Sequence, residues 1–164
     1  MDRLWAPWRL QYVVQAKDQA TDASGCFICR DLNGSSGEDS LLVWRDEVCC
    51  CILNRYPYNN GHLLVAPNRH VGDIHDVTAE EMTGCMETVR RMMTQLDSIL
   101  HPDGYNVGVN LGRVAGAGLP GHLHWHVVPR WDGDTNFMPV LGDVKVLVQS
   151  LEELHRLLRQ ALGS

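Results

Sequence analysis

The chain has 164 residues, 45% of them hydrophobic and 21% charged, with a net charge of −6 at neutral pH. That length suits one domain with a sizeable core, and the acidic balance argues against a nucleic-acid surface, which needs a basic stripe. No apolar run approaches the ~20 residues of a membrane span. The N-terminus lacks a charged-then-apolar signal pattern, so a cytoplasmic protein without a membrane partner is expected.

In residues 1–10, Trp5 and Trp8 bracket Pro7. That is enough apolar area to pack on the body or on a partner subunit rather than hang free. Residues 15–24 read as polar connection. Cys26-Phe27-Ile28-Cys29 follows, a spacing that in a cytoplasmic protein means a metal half-site or a redox pair. The redox form expects a strand before it and a helix after it. Here Ala23-Ser24-Gly25 precedes and a Gly/Ser stretch over 33–40 follows, so metal is the favoured reading and the stretch is a candidate mobile loop. The other cysteines do not suggest disulfides. Cys49, Cys50 and Cys51 are consecutive in an apolar run, where thiols serve as small hydrophobes, and Cys85 falls on a helix face.

Residues 41–44 and 48–53 are strand-like runs separated by Arg45-Asp46-Glu47, which suggests a hairpin. A segment dense in turn residues spans 54–61, and a third strand covers 62–66 up to Pro67. Thr78-Ala79-Glu80-Glu81 is a capping box. Met82, Cys85, Met86, Val89, Met92, Met93, Leu96 and Leu100 continue at helical spacing, and the helix ends before Pro102. The methionines read as gap-filling core. A fourth strand over 105–111 leads into residues 112–121, where four glycines in ten residues demand tight turns or close approach. After a loop over 133–137, a last helix over 144–162 carries Leu147, Leu151, Leu154, Leu158 and Leu162, with Gly163 just past its end. The order βββ-α-ββ-α predicts an α+β fold: an antiparallel sheet with a helix packed on it.

Gly121-His122-Leu123-His124-Trp125-His126-Val127-Val128 sits at the centre of this pattern. On a strand, alternate side chains share a face, so the three imidazoles point one way, roughly 7 Å apart at each step. Leu123, Trp125 and Val127 turn to the core. Exposed polar positions, a structural metal site, a catalytic zinc site and nucleophilic chemistry all compete for such a face. The glycine loop just before it favours the last, because loop amides can form an anion-binding nest while an imidazole stands behind the phosphorus. His124, with a neighbour on either side, is best placed to attack, and His126 could protonate the leaving group. His62 and Asn110, each at a strand end, could join the cluster or simply be solvated polar ends.

The run His-Leu-His-Trp-His-Val-Val resembles the signature of the histidine-triad (HIT) superfamily. Asn54, the turn ending at His62, Asn110 and the 112–121 loop fall where that superfamily carries them. Leu-Trp-Ala-Pro-Trp-Arg, Tyr-Pro-Tyr-Asn-Asn-Gly-His, Ala-Gly-Ala-Gly and Pro-Arg-Trp-Asp-Gly-Asp-Thr-Asn-Phe look like the branch related to bacterial diadenosine tetraphosphate phosphorylases. The resemblance implies one HIT-like domain over 1–164, made of an N-terminal segment 1–40 and a core 41–164, with a sheet of about five strands, a packed central helix and a C-terminal helix. It implies a nucleotide substrate, a covalent nucleotidyl-histidine at His124, leaving-group protonation by His126, and a share in catalysis for His62. Ribose contact near Asn54 and phosphate contacts from Asn110, Gly116, Ala117 and Gly118 are also implied, as is a homodimer. In zinc-bearing relatives, including the galactose-1-phosphate uridylyltransferases, a Cys pair joins two later histidines. The matching structural zinc set here is Cys26, Cys29, His70 and His122, with His75 the alternative third ligand. One departure stands out: Gly118-Leu119 replaces the Gln-Ser or Gln-Thr pair of many members, so contacts there fall to backbone amides. A nucleoside phosphoramidase and a non-catalytic nucleotide-binding protein are the rival functions.

Overall fold

The computed structural model describes residues 23–34, 37–135 and 149–163. Within them the period-two runs form five antiparallel strands: β1 (Leu42–Arg45), β2 (Cys49–Leu53), β3 (Leu63–Pro67), β4 (Gly104–Val109) and β5 (Trp125–Arg130), in the order β1-β2-β3-β5-β4. The helices are α1 (Phe27–Leu32), α2 (Ala79–Leu100) and α3 (Leu151–Leu162). Asp46 closes the β1–β2 hairpin by accepting from the Val48 and Cys49 amides at 2.8 and 2.7 Å, an aspartate-capped turn.

Strand register sorts the side chains into two layers. Leu63, Val65, Cys49, Cys51 and Leu53 join Trp125 and Val127 on the face that packs against Cys85, Val89, Met92 and Leu96 of α2 and Leu154 and Leu158 of α3. On the opposite face Ile52 pairs with Leu64, Leu64 with His126, and His126 with Gly108. That second face is covered at its β1–β3 end by a smaller apolar cluster of Cys26, Ile28, Cys50, Ile52, Ala66 and Leu119. Both faces of β2 and β3 are therefore buried along their whole length.

The capping box at the start of α2 is present, with Thr78 Oγ1 accepting from the Glu81 amide and Glu81 from the Thr78 amide. Glu81 also takes a two-pronged bond from Arg69, Nε–H to Oε1 at 2.9 Å and Nη2–H to Oε2 at 2.8 Å. The guanidinium is the main reason the Glu81 carboxyl falls from its ordinary 4.5 to about 2. A depressed carboxyl stabilises the fold above its unfolded value and loses that contribution as pH falls through its folded value. Acid unfolding of the parent should therefore steepen between about 4.5 and about 2, and Glu81→Gln should flatten that limb in a pH series of urea midpoints. An unchanged slope in the variant would remove Glu81 from the account.

Two glycines hold close approaches. Gly61 has φ +76°, and a Cβ there would stand 2.7 Å from Leu100 Cδ1. Gly72 lies so near the glycine loop that its Cβ would meet the Pro120 carbonyl at 2.6 Å.

The structure departs from the expected elements in four places. A short helix, α1, follows Cys26, whose Sγ accepts from the Cys29 amide at its N-terminus; the glycines over 33–40 had obscured six helical residues. Among the described residues it is preceded by a 3₁₀ turn over Ala23–Gly25. The last helix starts at Leu151, because Ser150 caps it by accepting from Glu153 N–H, although the leucine spacing runs further back. Strand β4 stops at Val109, two residues short, where the chain turns toward Gly112. Met86 is 38% exposed, unlike Met92 at 0%, because it stands one residue round the helix from Cys85. The expected packing of residues 1–10, and the stretch 144–148 with Leu147, lie outside the described residues.

Candidate active site and metal cluster

The histidine strand places its imidazoles on one face, but in two different environments. His122 and His124 precede β5 in the bend after the glycine loop, whereas His126 is inside it. His122 is 0% exposed and His124 7%. The segment after β3 is pressed against this bend: the Leu123 amide donates to the Val71 carbonyl at 2.7 Å, and Gly72 permits the contact with Pro120 described above.

That contact brings His70 to His122, with ring centroids 5.1 Å apart. Cys26 Sγ lies 3.3 Å from His122 Nδ1, Cys29 Sγ 3.6 Å from the same nitrogen, and Cys29 Sγ 3.3 Å from His70 Nδ1. One donor atom from each of the four residues falls within 4.8 Å of the others. A tetrahedral zinc site with ordinary Zn–S and Zn–N bonds separates S and N ligands by about 3.6 Å, so the donor set fits a Cys₂His₂ metal centre. His122 Nε2–H donates to the Pro67 carbonyl at 2.8 Å, which leaves Nδ1 as the lone pair toward the thiols and supplies the outer hydrogen bond that metal-bound imidazoles use. Burial lowers His122 to about 4, with the Pro67 carbonyl opposing. Burial also pushes the Cys26 thiol up to about 12; a bound cation reverses that preference. His75, the alternative ligand, is exposed in a 3₁₀ turn with its amide on Asp73, outside the cluster.

His124 is fixed by main chain. Its Nδ1–H donates to the His122 carbonyl at 2.8 Å, so the lone pair resides on Nε2. Burial lowers its affinity for a proton, with that carbonyl opposing. His126 stands beside it, ring centroids 5.0 Å apart. Leu64 and Gly108 flank His126 across the sheet, and a glycine there leaves the face open above β4.

His62 is 0% exposed and has its Nε2 2.9 Å from His126 Nδ1. Asn54 Nδ2 lies 3.1 Å from His62 Nδ1 and 3.4 Å from His62 Nε2, so it rests over the ring. Asn54 Oδ1 accepts from the Tyr56 amide at 3.0 Å. Asn110 Nδ2 stands 3.4 Å from His126 Nε2 and 3.5 Å from the Gly116 carbonyl. All the sequence-predicted side chains of the site thus converge. The glycine loop is a more closed structure than a nest: Gly116 N–H donates to the Arg113 carbonyl at 3.0 Å and Ala117 N–H to the Gly112 carbonyl at 3.3 Å.

Tyr58 was not singled out from the sequence. Its amide donates to His62 Nδ1 at 3.0 Å, and its ring stacks on His126 at 5.6 Å and 18°. Its loop is tied down by Asn59, which donates to the Pro129 carbonyl and to Asp134, itself paired with Arg130 at 2.6 Å. The hint was there in Tyr-Pro-Tyr-Asn-Asn-Gly-His, but an amide donor leaves no trace in residue type.

Fold and site together define a class: an antiparallel sheet that presents alternate histidines beside a buried Cys/Cys/His/His cluster. Residues 36–133 match the HIT domain, and the chain belongs to that family. It is 40% identical over 161 residues to AP-4-A phosphorylase of Mycobacterium tuberculosis, covering 96% of this chain and 83% of the relative. A zinc-bound histidine triad family protein of Mycobacterium smegmatis superposes with a TM-score of 0.66 at 30% identity, over 87% of this chain and 96% of the other. A histidine triad nucleotide-binding protein of Sulfolobus tokodaii superposes with a TM-score of 0.68 at 26% identity, over 84% and 92%.

Proposed function

We propose that this chain is a nucleotidyl-transferring enzyme that cleaves dinucleoside polyphosphates, with diadenosine tetraphosphate as substrate, through a covalent nucleotidyl-histidine at His124. The observation that carries the reading is the His124 Nδ1–H···O=C bond to His122: it leaves the lone pair on Nε2, as a nucleophile requires. The 40% identity to an AP-4-A phosphorylase supports the substrate class. In this reading His126 and His62 act on the leaving-group side. Asn54 meets the ribose, and Asn110 with Gly116, Ala117 and Gly118 lines the phosphates. Attack on phosphorus forms the P–N bond as the bridging oxygen departs with the rest of the phosphate chain; phosphate or water then resolves the intermediate.

Cys26, Cys29, His70 and His122 hold a structural zinc, which joins segment 1–40 to the core 41–164 as one working domain. Zinc supplies cross-linking here and no step of the reaction. The chain forms a homodimer through a shared sheet; β4 pairs only with β5 among the described residues and leaves Val107 44% exposed on that edge. The chain acts in the cytoplasm on nucleotides, apart from membrane and nucleic acid; no described helix is long and apolar enough to cross a membrane.

Product analysis tests the reading. Diadenosine tetraphosphate should yield ADP plus ATP only when inorganic phosphate is present. AMP plus ATP regardless of phosphate would make the chain an asymmetric hydrolase. Turnover of an adenosine phosphoramidate alone would replace the polyphosphate assignment.

A further inference from the structure

A polyphosphate brings a string of negative charges to the histidine face, and the glycine loop meets it with few spare donors. The Gly116 and Ala117 amides, which an open nest would turn to phosphate, already donate to the Arg113 and Gly112 carbonyls at 3.0 and 3.3 Å. Asn110 Nδ2 is a neutral donor. What the loop does carry is charge: residues 110–121 hold one cation, Arg113, and no acid.

Arg113 is exposed and opens the 3₁₀ turn Arg113–Ala115. Its carbonyl accepts from Gly116 N–H, and the Gly116 carbonyl lies 3.5 Å from Asn110 Nδ2, which stands 3.4 Å from His126 Nε2. The turn is thus hung on the asparagine that meets His126, and a long side chain is rooted there. Two other arginines are held differently. Asp134 takes Nε and Nη2 of Arg130 while Asn106 takes Nη1, and Arg55 Nη2 donates to the Asp39 carbonyl at 2.9 Å.

We infer that Arg113 is a specificity-determining residue whose guanidinium takes the phosphates beyond the scissile bond, first those of the leaving chain and then the inorganic phosphate that replaces it. A guanidinium suits both, because its planar fork pairs with phosphate oxygens at two points. The inference rests on the reaction proposed above, in which two displacements occur at one phosphorus. His124 Nε2 attacks in line, the P–N bond forms, and the bridging P–O bond breaks on the far side, its electron pair leaving with the polyphosphate. The acceptor must enter where that chain left. An oxygen of hydrogen phosphate forms the new P–O bond, the P–N pair returns to His124 Nε2, and the acceptor keeps its proton. Water can enter along the same line, but it is neutral and is not concentrated by a fixed cation. Arg113 therefore favours phosphate over water.

The test separates charge from shape. Arg113→Gln keeps the main-chain bonds of the turn, and Arg113→Lys keeps the charge without the fork. Calorimetric titration of ATP and of AMP, without magnesium and in a His124→Ala background, reads the phosphate chain without turnover. The ATP-to-AMP affinity ratio should fall about tenfold in Arg113→Gln, the scale of one lost charged hydrogen bond, and should recover in part in Arg113→Lys. With His124 intact, Arg113→Gln should raise the KM for phosphate about tenfold on the same scale and shift products from ADP plus ATP toward AMP plus ATP. An unchanged affinity ratio, ATP and AMP weakened alike, or an unmoved phosphate KM would overturn the inference. A parent that turns over no diadenosine tetraphosphate would defeat the proposed reaction, and the affinity ratio would still decide the role of Arg113.

Discussion

His124→Ala is expected to lower diadenosine tetraphosphate turnover by about 10³-fold or more, since loss of an attacking group removes the covalent route altogether. No neighbour can substitute: His122 is turned into the Cys/His cluster, and His126 is engaged at Nδ1 by His62. The fold should survive, because His124 stands beside His126 while its neighbours Leu123 and Trp125 supply the helix-facing packing. Rapid quench of the parent should trap protein-bound nucleotide, and the variant should yield none while still binding nucleotide. A variant that keeps more than a tenth of the parent rate would remove His124 from the nucleophile's role.

The second large effect concerns the metal cluster. Cys26→Ala deletes a thiol that is 1% exposed and 3.3 Å from His122 Nδ1, leaving three donors where four formed a closed set. Loss of a structural metal belongs to the few changes that cost about 4 kcal/mol. For a chain of this size each kcal/mol moves the midpoint by about 2–4 °C, so Tm should fall by roughly 10 °C. Zinc, measured by atomic emission on the purified protein, should drop from one per chain to near zero. A chelator should bring the parent down to the variant's Tm and leave the variant unmoved. Unchanged metal content in Cys26→Ala would end the zinc assignment.

Where the sequence reading succeeded, residue type and spacing alone carried the information. Alternation around His122, His124 and His126 fixed a face, and Thr78 with Glu81 fixed a helix start. The His70 choice came through resemblance, because nothing local distinguishes it from His75; the fold does so by pressing Gly72 against Pro120. The misses share another cause. Helix α1 and the start of α3 at Ser150 depend on caps that compete with composition. The role of Tyr58 and the closed form of the glycine loop depend on main-chain donors, which every residue but proline has. Such features become visible only when the chain has folded back on itself.

The run of three cysteines in β2 has a consequence for the life of the chain outside its reaction. Cys49, Cys50, Cys51 and Cys85 are all fully buried, and in the native state no oxidant or second protein can reach them. Cys49, Cys51 and Cys85 become available when the sheet parts from α2 and α3, and Cys50 when the cluster around Ile28 leaves the opposite face. Damage by peroxide or by stray cross-linking therefore falls on newly made and opened copies, and the finished ones are spared. A batch of this protein ages according to how often its molecules breathe open, and four hidden sulfurs keep that record.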